Sequence, residues 1–390
     1  MTLQWNAHRE STILDGGSMH FAVHGLAIAI LLATHVTAQK RTLVVDPANG
    51  PYYQIQAAID AANPGDVVSI RPGTYRAITI TKPIAIIGST GVLIRDFQPA
   101  VTERALPSGS ALSLQDVRLE SAFEPFLAKA CAGSLVLEDV VMDSSIGPRF
   151  EDCSDVRGTR CVATRTMRLT RSNASFDRCR LSSSAPMGTS AVDAHASTVT
   201  FSRCELVGSE SLTQWISGPA ISSTASLLIL TSDGSGLVRA GIGPARSAIE
   251  GSGVVLLDRR VVLRASGNAP AIASTLMIVR QGVPSLLVDN APIGQSLFGQ
   301  LVADPGDAYL LTAGKPAAPT LLPGAFGLLW MHEPYVAAVG VLGGTGRATW
   351  TSKVPNDRNL VGEAFVWQAL TASSAGRFVL SNPATYAHRL

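Results

Sequence analysis

Histidine is scarce where chemistry would need it. Of seven, His8, His20, His24 and His35 precede Gln39, leaving His195, His332 and His388 far apart in the chain. A multi-histidine zinc site is thereby excluded, and no mixed Cys/His spacing replaces it. Charge is sparse too: Asp, Glu, Lys and Arg make up 15% of residues, and the formal net charge is +2. That balance gives no basic stripe and no expectation of a nucleic-acid partner. The cysteines number five, Cys131, Cys153, Cys161, Cys179 and Cys204, so every pairing scheme leaves one over. The apolar run from Phe21 to Ala33 is too short to span a bilayer. What is abundant is turn chemistry, with 35 Gly and 22 Pro, which suits an all-β chain.

The early apolar run reads instead as the core of a signal peptide over residues 1–38. Val36-Thr37-Ala38 before Gln39 is an A-x-A-like cleavage site. Met1 to Ser18 is a long polar lead, which points to Met19 as the true start; an uncleaved anchor is the alternative. The expectation is a Sec-exported protein, secreted or held at the cell surface or in the periplasm. It is expected to be monomeric, with no transmembrane span after cleavage.

The organising stretch is Tyr52 to Gly88. Ile55, Ala58, Ile59 and Ala62 fall at helical spacing and predict one short amphipathic helix, stopped by Asn63-Pro64-Gly65-Asp66. Period-two pairs follow at Val68/Ile70, Ile78/Ile80 and Ile84/Ile86, separated by Arg-Pro-Gly and Thr-Lys-Pro turns. A helix covering the first of several evenly spaced short strands is what the start of a solenoid requires. This stretch, through Ile55-Gln56-Ala57-Ala58-Ile59, Pro64-Gly65-Asp66, Pro72-Gly73-Thr74-Tyr75 and Ile78 to Gly88, resembles the opening of right-handed parallel β-helix proteins of the pectin-lyase-like superfamily. The resemblance implies a fold; esterases, lyases and non-enzymes share it.

Repeats support that expectation. The pattern apolar-x-apolar-x-x-(Val/Cys)-x-apolar occurs at Leu112/Leu114/Val117/Leu119 and Leu135/Leu137/Val140/Met142. It returns at Ala174/Phe176/Cys179/Leu181 and Val199/Phe201/Cys204/Leu206. Steps of roughly two dozen residues suit one solenoid turn. A longer step between Leu137 and Phe176 predicts an extra turn with an excursion, or a projecting loop. Cys179 and Cys204 would stack inside the coil, as small apolar residues rather than a bridge. Cys153 and Cys161 could close a short disulfide loop.

The expected architecture is all-β: a parallel β-helix with an N-terminal capping helix over residues 39–290, then a small antiparallel β-sandwich-like module over 291–390. Phe326, Trp330, Trp350, Phe365 and Trp367 are the expected aromatic core of that module. Its ending, with Val354-Pro355-Asn356-Asp357, Leu360-Val361-Gly362, Gln368-Ala369 and Leu380-Ser381-Asn382, is similar to a C-terminal module of many secreted bacterial proteins. Capping the open end of the coil is one role for it.

The catalytic signatures that the resemblance brings with it are missing. There is no Gly-x-Val-Asp-Phe-Ile-Phe-Gly segment as in pectinesterases, none of the Asn-Thr-Asp, Asp-Asp, Gly-His-Gly or Arg-x-Lys signatures of polygalacturonases, and no Asp-rich calcium cluster as in pectate lyases. Columns of like residues remain. Repeat register places Asp116, Asp139, Arg178 and Arg203 at one position on successive turns. Such a strip is either a solvated row of charges or a site, with calcium on Asp116 and Asp139 and the arginines forking onto a sugar carboxylate. Glu138, Asp143, Asp177 and Arg180 lie nearby. Trp215 and the Phe123–Phe126 loop are candidate platforms for a sugar ring. Asp193 and His195 read as a surface polar pair, Asn173-Ala174-Ser175 as a weak glycosylation sequon, and Gly343-Gly344-Thr345-Gly346 as a turn. The functional expectation is an exported non-catalytic binding, adhesion or scaffold protein facing a polysaccharide or the cell envelope, with no required cofactor. The alternative is a divergent lyase, hydrolase or esterase acting on an acidic polysaccharide.

Overall fold

The computed structural model describes residues 40–185, 188–210, 217–243 and 245–389; the expected signal peptide and Trp215 lie outside them. Among the described residues the chain is a parallel β-solenoid followed by an antiparallel module. The first helix, α1 (Ile55–Ala61), buries Ile55, Ala58 and Ile59 against the first turn of the coil. No helix among the described residues is long and apolar enough to cross a membrane.

Each turn of the coil contributes three strands, which stack into faces here termed A, B and C. One turn runs through Val101–Arg104 on face A, Ala111–Gln115 on face B and Arg118–Ser121 on face C. Face C is a nine-stranded parallel sheet. Faces A and B share a seventeen-stranded sheet, because Ile221–Thr231 and Ile249–Leu257 run through the corner between them. Period-two alternation does what the sequence implies. Leu119, Met142, Ala163, Leu181 and Leu206 form one interior column, in contact along parallel strands.

The corners explain the two-residue gaps in the repeat. Asp116, Asp139, Arg160, Arg178 and Arg203 all adopt left-handed backbone, with φ between 53° and 55°. Ala105, Ala130, Asp152, Arg171, Ala196 and Ala225 do the same at the A-to-B corner. Left-handed Ala or Arg is locally unfavourable, so the cross-turn backbone ladder must hold these corners bent.

The long step between Leu137 and Phe176 holds a complete extra turn: Arg149–Glu151, Asp155–Thr159 and Val162–Ala163. Its repeat is masked at Gly158, which stands in the interior column between Leu137 and Phe176. A Cβ at Gly158 would lie 2.5 Å from the Phe176 ring. The void left by one side chain is filled by the next turn's aromatic, which stacks on Phe201 at 5.7 Å.

All five cysteines are buried free thiols. The expected Cys153–Cys161 bridge does not form, because each sits just past a different corner. Cys153 follows the A-to-B corner and stacks on Cys131, while Cys161 follows the B-to-C corner beneath Cys179 and Cys204.

The C-terminal module has two antiparallel sheets. One pairs Ser285–Val288, Ser296–Val302 and Arg347–Lys353. The other centres on Ala308–Leu321, Leu328–Val341 and Ala364–Ala372. Leu286, Leu297, Leu301, Leu311, Trp367 and Tyr386 fill the space between them. Trp350 and Trp367 join this core, with ring centroids 6.1 Å apart. Phe326 does not, being half exposed, and Trp330 is buried in the seam with the solenoid instead.

That seam runs along the side of the coil. Val361 packs on Val67 and Ala85 of the first turns, Ala364 and Ala387 on Val136, and Trp330 beside Ile229 near the last. The module therefore covers face B lengthwise and does not cap the coil's end. Two residue pairs named in the sequence hold it together. Gln368 accepts from Trp330 N (3.0 Å) and donates to Leu328 O and Ser381 O, and Asn382 bonds both Leu286 N (2.8 Å) and Leu286 O (2.9 Å).

Candidate functional site: a clasped charged strip and an open corner groove

The charged strip is real, and it faces the module. Between Asp139 and Arg178 the structure inserts Arg160, giving a column of two carboxylates and three guanidiniums. Arg160 forks onto Asp139, at 2.8 Å through Nε and 2.7 Å through Nη2, and also reaches Glu138. From the module, Arg389 reaches Asp139 and lies 2.9 Å from Asp116. Glu138 is fully buried and accepts from Asn290 (2.7 Å) and Ala387 N (3.2 Å). Arg178 pairs with Asp289 at 2.6 Å; Arg203 pairs with Asp177 and donates to Leu286 O at 2.9 Å.

The two aspartates are pushed apart electrostatically. Burial raises Asp116 above the usual carboxylate range, with Arg389 offsetting only part of it. Burial also acts on Asp139, but the guanidiniums of Arg160 and Arg389 together outweigh it and hold this carboxyl low. Neighbouring outward positions carry the seam further. Asp155 and Arg157 form a fully buried ion pair at 2.8 Å. Arg157 also bonds Thr385 Oγ1 and Ala317 O, and sits 5.6 Å from the Trp330 ring centre.

As chemistry, the strip is a docking surface. Arg160 and Arg389 take both carboxylate oxygens of Asp139, whereas Asp116 has one ion pair among the described residues, to Arg389. The two aspartates line an open pocket of about 380 Å³ with Thr90, Leu93 and Arg118. Among the described residues no group of three or more His, Cys, Asp or Glu is disposed to hold a metal ion. Phe126 is also corrected: it points into the coil and stacks on Phe150 at 5.6 Å. Asn173 and Ser175 lie within a strand, and the Ser175 hydroxyl is buried, so the sequon is closed. Gly343 to Gly346 is a turn closed by Gly346 N to Gly343 O at 2.9 Å.

The open chemistry lies at the opposite corner, where face C turns back to face A. A groove of about 790 Å³ runs across four turns there, lined by Arg76, Arg95, Phe97, Glu120, Asp143 and Ser144 among others. Phe97 is 81% exposed, and Phe123, from the next turn's corner, is 47% exposed. The floor is an ion-pair ladder. Arg95 bonds Glu120 (2.7 Å through Nε), Arg118 bonds Glu120 (2.8 Å) and Asp143 (3.3 Å), and Thr164 donates to Asp143 (3.0 Å). Hydrogen bonds from Arg95 hold Glu120 below the usual carboxylate range, and backbone N–H groups led by Ala77 do the same for Asp96.

Further along the same corner, Asp193 lines an open pocket of about 320 Å³ with Arg168, Arg246 and Glu250. His195 projects beside it on the same strand, exposed and without a nucleophile near enough to form a bonded pair among the described residues. Phe123 was legible from sequence, whereas Phe97 was not. It precedes the recognisable repeats, and its signal is an aromatic inside an otherwise polar turn, Asp96-Phe97-Gln98-Pro99.

No protein-family model matches the chain, and no curated protein matches it. Solved structures with a similar fold include the enzymatically active domain of tailspike protein 2 from bacteriophage CBA120, at 10% identity, covering 91% of this chain and 77% of that one, with a TM-score of 0.32. A pectin methylesterase from Aspergillus niger aligns at 12% identity over 62% of this chain and 85% of its own, with a TM-score of 0.26. An alginate lyase from a Paenibacillus species aligns at 9% identity over 61% and 99%, with a TM-score of 0.26.

Proposed function

We propose that this protein is an exported, non-catalytic binding protein that holds a polysaccharide in the corner groove lined by Phe97, next to the exposed Phe123. One observation carries the reading. The paired carboxylates and guanidiniums that the solenoid lines up are clasped by Arg389 of the chain's own C-terminal module, while an exposed aromatic, Phe97, lines an open polar groove and a second, Phe123, stands exposed at the next turn's corner. Exposed aromatic faces beside fixed polar groups suit sugar rings, which offer an apolar C–H face and a rim of hydroxyls. Glu120 and Asp143 are held by arginines, so they serve as oriented acceptors rather than as mobile acids.

The test uses purified residues 39–390 on a panel of insoluble acidic and neutral glycans, following retention together with new reducing ends, ester release and unsaturated products. Retention without turnover, lost in the F97A/F123A double variant, is expected. Turnover abolished by D139N would instead make the protein an enzyme working through the strip beneath the module.

A further inference from the structure

The two ends of the coil are finished differently. Helix α1 packs over the first turn. At the other end the last strands, Val262–Arg264 on face C and Leu276–Arg280 on face B, pair on one side only among the described residues. Their free side presents a row of backbone N–H and C=O groups, a template for a further strand. The interior columns end there too. Val199, Leu228 and Val255 lead to Ile278, which is 39% exposed although Val255 is fully buried. The neighbouring column runs through Phe176, Phe201, Leu230 and Leu257 and ends on Arg280. On face C, Leu206 and Val238 lead to Leu263, which is only partly buried.

Charge at this end has one sign. Between Asp258 and Asp289 the chain carries Arg259, Arg260, Arg264 and Arg280 and no acidic residue. Asp258 neutralises Arg260 at 2.8 Å, and Asp304 neutralises Arg259 at 2.6 Å. Arg264 and Arg280 are exposed and make no ion pair among the described residues. These features select the occupant. A lipid surface would leave the backbone row without partners. A second copy, joined edge to edge across a twofold axis, would double the unpaired positive charge at the joint. An extended acidic segment supplies backbone pairing, apolar cover and countercharge together.

We infer that the open end of the coil is a docking edge for another polypeptide, which adds one strand beside Leu276–Arg280 and brings a carboxylate to Arg280. Laid in the parallel register of the coil, the incoming strand places apolar side chains over Leu276 and Ile278 and an acidic one over Arg280. The pattern recognised is apolar-x-apolar-x-acidic. Main-chain bonds give the affinity, and the Arg280 fork accepts a carboxylate and rejects a cation at the last position. This edge shares no residue with the corner groove, so it stands whether or not the groove takes a glycan.

The experiment is fluorescence anisotropy of the purified protein with the labelled peptide Thr-Val-Thr-Ile-Thr-Glu-Thr and its counterpart with Lys in place of Glu. The Glu peptide is expected to bind about tenfold tighter than the Lys peptide, and R280E to reverse that order. N-methylation of alternate backbone nitrogens is expected to abolish binding in one phase and spare it in the other, since a paired strand turns only every second N–H toward its neighbour. An R280E protein that keeps the Glu preference, binding indifferent to N-methylation, or no binding of either peptide overturns the inference. A dimer in sedimentation velocity that I278R dissolves would assign the edge to a second copy. Flotation with phosphatidylcholine–phosphatidylserine vesicles, lost in the same variant, would assign it to lipid; either result also overturns it.

Discussion

Arg389 of the C-terminal module lies 2.9 Å from Asp116 of the solenoid, and the same guanidinium bonds Asp139 one turn further on. One cation thus clasps two stacked carboxylates and reaches a third, Glu138, which is fully buried. Arg389→Ala leaves Asp116 without its partner and Asp139 with Arg160 alone. Because these groups are partly solvated, the loss should be about 1–3 kcal/mol, below the full cost of breaking a buried pair. Urea denaturation should show it, together with faster proteolytic cleavage between coil and module. An unchanged midpoint would mean the clasp is incidental.

Arg157 is the more buried partner of the seam. Arg157→Ala strands Asp155 without its cation under the module, at an expected cost of about 3–5 kcal/mol, whereas Arg157→Ala combined with Asp155→Ala should recover much of it. Tryptophan emission checks this, since Trp330 sits against Arg157 and should shift red when the seam loosens.

Glu103 points into the coil with one carboxylate oxygen unbonded, and burial raises its pKa from 4.5 to about 7. The folded state therefore holds this proton more tightly than the unfolded chain. Its contribution is complete below pH 4.5 and is lost as pH rises through 7. Glu103→Gln should be more stable than the parent by roughly 2–3 kcal/mol at pH 8 and equal to it near pH 4. Parallel stability profiles for the two proteins would contradict this.

His388 gives the opposite slope. Burial between Phe365 and Tyr386 lowers its pKa from 6.5 to about 4. Stability is fully present above pH 6.5 and declines as pH falls through 4. His388→Phe should flatten denaturation midpoints across that window, and an unaltered acid limb would assign it to carboxylates instead.

The thiols offer a direct check on the stacked interior. Native protein should be inert to a thiol-specific reagent, and all five cysteines should react once it is denatured without reductant. A Cys153–Cys161 bridge would leave only three.

The fold was legible because inward positions recur with period two and the corners recur with them. Leu112, Leu135, Ala174 and Val199 carry one column in plain view. The turn containing Gly158 was hidden because its interior position is filled from the next turn by Phe176. Asp116, Asp139, Arg178 and Arg203 were rightly aligned by their spacing. Their role was not legible, because the partners Arg389, Asp289 and Leu286 O come from far along the chain and from another sheet. Phe126 differs from Phe123 because the strand Phe126–Lys129 begins between them: Phe123 stays exposed in the corner, while Phe126 is the strand's first inward position.

The central claim is that ligand enters at the C-to-A corner and not along face B. Hydrogen exchange followed by mass spectrometry, with and without a retained glycan, tests it most directly. The account predicts slowed exchange in peptides covering 96–98 and 121–124, with 134–139 and 155–160 unchanged. Protection confined to 134–139 and 155–160, with the corner unaffected, would contradict it.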